Sequence, residues 1–156
     1  MGLGDPILNL MVRISSENIS WMVQYCLETS PNEACGLLLG VGESVKFVRG
    51  ARSVAPSPYQ FTMEPLDILA IDKEAEDLEV EIVGLFHSHT TSEAYPSETD
   101  VDACPDDRWV HFLVSLKSKP YRVRAFKIAD RKITEIEISC DLEGVSSDDL
   151  SWTIQL

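Results

Sequence analysis

Residues 80–86, Val-Glu-Ile-Val-Gly-Leu-Phe, form a nearly continuous apolar run with β-branched members that leads straight into His87-Ser88-His89. Such a run predicts a strand buried in a sheet, so other elements must cover it. It also decides how the histidines point. Side chains alternate along a strand with period two, which puts His87 and His89 on one face, where a single metal ion can take both imidazoles. Asp100 could add a carboxylate ligand. Three protein ligands with one open position is the coordination of a catalytic zinc rather than a closed structural one.

Each of these residues also has an ordinary explanation. Two histidines can simply be partnered by neighbouring acids or backbone. Pro96-Ser97-Glu98-Thr99-Asp100 reads as a helix start, with Ser97 as N-cap and Asp100 at the third position of a capping box. The two readings are compatible, because a fixed first turn can aim a carboxylate at a metal held by the adjacent strand. Glu33, in the Pro31-Asn32 turn, would on its own be a solvated surface residue.

The remaining elements alternate between helix and strand. Ser15-Ser16 can cap a helix in which Ile19, Met22, Val23, Cys26 and Leu27 recur at helical spacing, ending near Ser30-Pro31. Strands are predicted at about Ala34–Leu39 and Ser44–Val48, joined by the glycine-rich turn Gly40-Val41-Gly42-Glu43. Pro56-Ser57-Pro58 marks the stretch from Ala51 to Tyr59 as loop. Pro65 then opens a second helix with Ile68, Ile71, Ala75 and Leu78 as its apolar stripe. Further strands are expected near Trp109–Leu116, Tyr121–Ile128 and Lys132–Ile138, with Met11–Ile14 as the first. A sheet with one helix on either side fits this order. At the C-terminal end Trp152, Ile154 and Leu156 alternate like a short strand, which could pack on the domain, extend a sheet edge or bind a partner.

With 156 residues the chain is one ordinary domain. No apolar run approaches the roughly 18 to 20 residues that span a bilayer, and residues 1–10 lack the basic start of a secretory signal. They read as a loose extension, with Met11 as an alternative start. Cys26, Cys35, Cys104 and Cys140 form no Cys-x-x-Cys pair, which argues against a zinc knuckle or a thioredoxin-type motif and for reduced thiols in a cytoplasmic protein. Cys35 lies near Glu33, but in Ala-Cys-Gly-Leu-Leu-Leu it reads as a small core residue. The formal charge of −13 argues against nucleic acid, which is bound by cationic side chains. Its concentrations at Glu74–Glu79 and Asp141–Asp149 read as solvated faces.

His87-Ser88-His89, Ser97 and Asp100 resemble, residue for residue, the metal motif of the JAMM or MPN-plus metallopeptidases. In Pro31-Asn32-Glu33-Ala34-Cys35-Gly36-Leu37-Leu38-Leu39-Gly40, Glu33 takes the place of that family's upstream glutamate. The likeness runs from about Val12 to Ile138. Glu-Ala-Tyr-Pro-Ser (residues 93–97) is similar to the bacterial Mec-type hydrolases, which release cysteine from the C-terminus of a ubiquitin-like sulfur carrier.

The resemblance implies an α+β, α/β/α-like fold: a central mixed, mostly antiparallel curved sheet flanked by helices, in one domain similar to the cytidine-deaminase-like fold. It places a JAMM domain at residues 11–140, between the N-terminal extension 1–10 and an acidic C-terminal segment, 141–156. It further implies one zinc ion per chain held by His87, His89 and Asp100, with Glu33 as general base and acid and Ser97 donating to the oxyanion. The substrate would be the C-terminal peptide or isopeptide bond of a ubiquitin-like or sulfur-carrier protein. Phe61 and Tyr95 are candidates for contacts with its tail. Neither nucleic acid nor membrane is expected as a partner, and a homodimer is left open. The alternatives are a more general deubiquitinase-like or carrier-precursor peptidase and, in another class, a non-catalytic MPN scaffold.

Overall fold

The computed structural model describes residues 10–154, so the readings for residues 1–9 and for Leu156 fall outside it. Strand β1 (Met11–Arg13) leads to helix α1 (Ser16–Thr29). The Ser15 hydroxyl accepts the Asn18 N–H at 3.1 Å, an N-cap that satisfies one of the orphan donors of the first turn. Ile19, Met22, Val23 and Cys26 form the buried stripe of α1. Strands β2 (Cys35–Val41) and β3 (Ser44–Ala51) follow as a hairpin. Its turn runs through Gly42 at φ +59°, a left-handed conformation that glycine adopts without steric cost.

Helix α2 (Pro65–Asp77) starts on proline and buries Ile71 and Ala75. Leu78, expected in that stripe, falls at the C-cap and is half exposed. Strand β4 (Glu81–His89) extends through both histidines, and α3 (Glu98–Asp102) is a single short turn. Strands β5 (Val110–Ser115), β6 (Tyr121–Ala129), β7 (Lys132–Ser139) and β8 (Trp152–Thr153) complete the chain. No helix among the described residues is long and apolar enough to cross a membrane.

The strands form one mixed sheet in the order β5-β4-β2-β3-β1-β7-β6-β8, and β6 also pairs with β5. Its longest ladder, β2 with β3, is antiparallel, whereas β5 runs parallel to β4 and sets Leu113 beside His87. Period-two alternation divides the central strands between two cores. Leu38 and Phe86 face one side, where α1 supplies Ile19, Met22, Val23 and Cys26. Cys35, Leu37, Leu39 and Leu85 face the other, under Ile71 and Ala75 of α2. These layers make the architecture α+β, with a helix against each face. Gly36 permits the close approach of β2 to β4, since a Cβ there would collide with the Phe86 ring and the Arg49 carbonyl.

The C-terminal end adds to the domain. Strand β8 pairs in parallel with β6 at Tyr121 and Arg122. Trp152 is buried in the α1-side core, and its Nε1–H donates to Ser20 Oγ at 2.9 Å.

Candidate metal centre

Strand β4 delivers His87 and His89 on the same face as Leu85, with their ring centroids 5.1 Å apart. His87 is almost wholly buried, and neither of its ring nitrogens has a hydrogen-bond partner. Orphaned buried polar atoms are costly, about 1–3 kcal/mol each. His89 is oriented by its backbone surroundings: its Nδ1 lies 2.8 Å from the Glu93 carbonyl. A donor Nδ1–H there leaves the Nε2 lone pair directed at the site.

Asp100 reaches the same point from α3. Its Oδ2 stands 3.1 Å from His87 Nε2 and 3.2 Å from His89 Nε2. The capping box is formed in full, with Ser97 N–H donating to Asp100 Oδ2 at 2.8 Å and Asp100 N–H donating to Ser97 Oγ at 3.1 Å. One helix start thus both caps itself and aims the carboxylate. The ligand atoms of His87, His89 and Asp100 all lie within 4.8 Å of one another. Tetrahedral ligands at about 2.0–2.1 Å from zinc are roughly 3.3 Å apart, so this donor set fits such an ion, which would give one of the two orphaned His87 nitrogens, Nε2, a partner.

Electrostatics follow from burial and proximity. Burial holds His87 below its usual range against the pull of Asp100, which keeps the ring neutral. For His89 burial acts downward, but hydrogen bonding to Asp100 and to the Glu93 carbonyl outweighs it and the pKa is raised. Asp100 is held well below the usual carboxylate range because the two histidines and the Ser97 N–H outweigh its burial.

Glu33, two residues before β2, is buried with Oε1 unpaired. Burial pushes its carboxyl up to about 7, with His89 acting downward and Asp100 upward. Its backbone N–H donates to the Ser57 carbonyl at 2.8 Å. Next to it the Ala34 N–H donates to Ser88 Oγ at 2.9 Å, and the Ser88 N–H donates to the Ala34 carbonyl at 3.1 Å. Ser88, between the histidines and on the opposite face, therefore clamps the start of β2 to the end of β4. Sequence reasoning passed over it, although period two already put it behind the two histidines. The Thr90 Oγ1–H donates to the Pro58 carbonyl at 3.3 Å.

Phe61 and Tyr95 separate. The Phe61 ring lies 4.8 Å from the His87 ring and lines a cavity of about 280 Å³ between α2 and α3. Tyr95 does not line that cavity; it is half exposed, packs edge-on against Phe126, and has the Arg124 guanidinium over its face. His111, also unanticipated, shares the cavity wall, and its Nε2 lies 3.6 Å from Cys104 Sγ. Burial, then His87, lowers the His111 pKa to about 4. Cys35 is a buried core thiol pushed up to about 12, chiefly by burial.

A sequence profile of the prokaryotic homologs of the JAB domain matches residues 15–129. The chain belongs to this family. The JAMM/MPN motif read in the sequence is therefore carried by a prokaryotic JAB domain. This JAB protein is 32% identical over 126 residues to the CysO-cysteine peptidase of Mycobacterium tuberculosis, covering 78% of the present chain and 86% of the relative. It is 34% identical over 114 residues to the desampylase of Pyrococcus furiosus, covering 72% and 79% respectively. The solution structure of protein DSY2949 from Desulfitobacterium hafniense superposes with a TM-score of 0.78 at 28% identity, covering 84% of the JAB chain described here and 93% of the other.

Proposed function

We propose that this JAB protein is a zinc-dependent hydrolase that cuts the C-terminal peptide or isopeptide bond of a ubiquitin-like protein, releasing cysteine from a sulfur-carrier adduct. The observation that carries the reading is the convergence of His87 Nε2 and His89 Nε2 on Asp100 Oδ2, with the buried, unpaired Glu33 carboxyl close enough for its charge to be felt there. Likeness to a CysO-cysteine peptidase supports cysteine as the leaving group. Likeness to a desampylase favours a second reading, a broader isopeptidase acting on carrier conjugates.

His87, His89 and Asp100 would hold one zinc ion. Zinc there supplies Lewis acidity toward a carbonyl and toward water. Glu33 takes a proton from the attacking water and returns it to the leaving nitrogen as the amide C–N bond breaks, so water is divided between the acyl carbon and the amine. A carboxyl held near neutrality suits both halves of that exchange. Ser97 Oγ accepts the Asp100 N–H, which leaves its own O–H free to donate to the oxyanion of the tetrahedral intermediate. The carrier tail enters past loop 51–63 and the Thr90–Tyr95 segment, where Phe61 and Tyr95 are the proposed contacts. A non-catalytic scaffold is disfavoured because every position of the donor set is filled.

Mass spectrometry of a ubiquitin-like carrier bearing a C-terminal cysteine, incubated with zinc-loaded protein and with Glu33→Ala, tests this. Loss of one cysteine with the native chain alone is the expected result. An unchanged carrier, with zinc measured at one per chain, overturns the cysteine-releasing assignment.

A further inference from the structure

The cavity of about 280 Å³ abuts the ligand cluster, with His87 and Asp100 in its wall and Leu37, Phe61, Ile68 and Trp109 among its apolar surfaces. We propose that this cavity receives the side chain of the leaving residue, making the chain selective for apolar leaving residues up to the size of leucine or methionine, with cysteine a small member of that set. The inference rests on the reading under Proposed function and extends it to the specificity of the bond cut.

Position is the first argument. A carbonyl held at the His87–Asp100 end puts the next residue within one residue length, about 3.3–3.6 Å, of the cavity. A carrier tail that ends in Gly-Gly has no side chain near the bond, so the leaving residue is the one that can enter. Size is the second. An apolar cavity of about 150 Å³ is enough to hold a benzene ring, and this one is larger, so cysteine alone would leave much of it unfilled. Wall chemistry is the third. Leu37, Ile68 and Trp109 offer an acidic side chain no partner, whereas an aliphatic chain gains by leaving water.

The experiment compares kcat/KM for carriers ending in Gly-Gly followed by Gly, Cys, Leu, Met or Asp, cut by the zinc-loaded full chain. The expected order rises from Gly through Cys to Leu and Met, by about fourfold for each buried methylene, with Asp slowest. Ala103 and Pro105 are exposed and line the cavity, so Ala103→Trp and Pro105→Trp narrow it without disturbing a core. Each should reduce the Leu-to-Gly ratio by about tenfold while the rate on the Gly carrier and the zinc content stay unchanged. Equal rates for Gly, Cys and Leu, or a ratio unmoved in both variants, overturns the pocket assignment and leaves the hydrolase standing. No cleavage of any carrier by the zinc-loaded native chain overturns the hydrolase reading itself, and the pocket with it.

Discussion

Ser88 Oγ accepts the backbone N–H of Ala34 at 2.9 Å, joining the strand that carries both histidines to the residue that follows Glu33. The pair is buried, 54 positions apart in the chain, and it fixes the residue after Glu33 against the strand end that carries His87 and His89.

Ser88→Ala removes this acceptor and leaves the Ala34 N–H without a partner in a dry environment. The expected loss is about 1–3 kcal/mol of stability, read as a lower denaturation midpoint. Turnover should fall while zinc stoichiometry is retained, since the histidines keep their strand. A variant as stable and as active as the native chain would show that the clamp does not position Glu33.

Asp100→Ala takes away both a candidate ligand and half of the capping box. Elemental analysis should find reduced metal occupancy, and activity should fall in parallel. Full occupancy would reduce Asp100 to a helix-capping residue. Asp100→Asn tests the same point with less disturbance, because its side-chain oxygen can still accept the Ser97 N–H.

Burial raises the Glu33 carboxyl to about 7, whereas in the unfolded chain it titrates near 4.3, about the model-peptide value. The folded chain therefore binds this proton more tightly, and the resulting stability, present below about pH 4, is lost as pH rises through about 7. In metal-free protein, the stability of the native chain relative to Glu33→Gln should fall by about 1–3 kcal/mol between about pH 5 and pH 8. Urea titrations at the two pH values measure the difference, and parallel behaviour of the two proteins would sink the assignment.

Trp152→Ala is expected to destabilise the whole domain by about 3–5 kcal/mol, as buried aromatic truncations do, because this ring belongs to the α1-side core and donates to Ser20. A midpoint within experimental error of the native value would mean that residues 141–154 are dispensable for folding.

Legibility from sequence followed the range of the signal. The strand ending in His87-Ser88-His89 and the cap at Ser97 are encoded within a few neighbouring residues, by alternation and by a capping pattern, and both formed where expected. The hairpin at Gly42 and the stripe of α1 were equally local. Nothing local encodes the meeting of Leu37, Phe61, Ile68 and Trp109 in one cavity, because that depends on how β2, α2 and β5 stack. Tyr95 shows the same limit: nearness in sequence to Ser97 does not encode that its ring packs on Phe126 under Arg124, outside the cavity that Phe61 lines. At the C-terminus the alternation of Trp152 and Ile154 was local and legible, whereas its place beside β6 and against the α1-side core depends on distant elements.

A single oxygen, Asp100 Oδ2, accepts the N–H that starts α3 and also faces both imidazoles. With one lone pair already committed to the backbone, the carboxylate cannot swing freely. An ion bound here would find its donor set already assembled by the fold, with little ordering left to do at capture. Its affinity would then be a property of the Glu98–Asp102 turn as much as of the three side chains. A substitution that loosens that turn, even one touching no donor atom, should register as faster release of the metal.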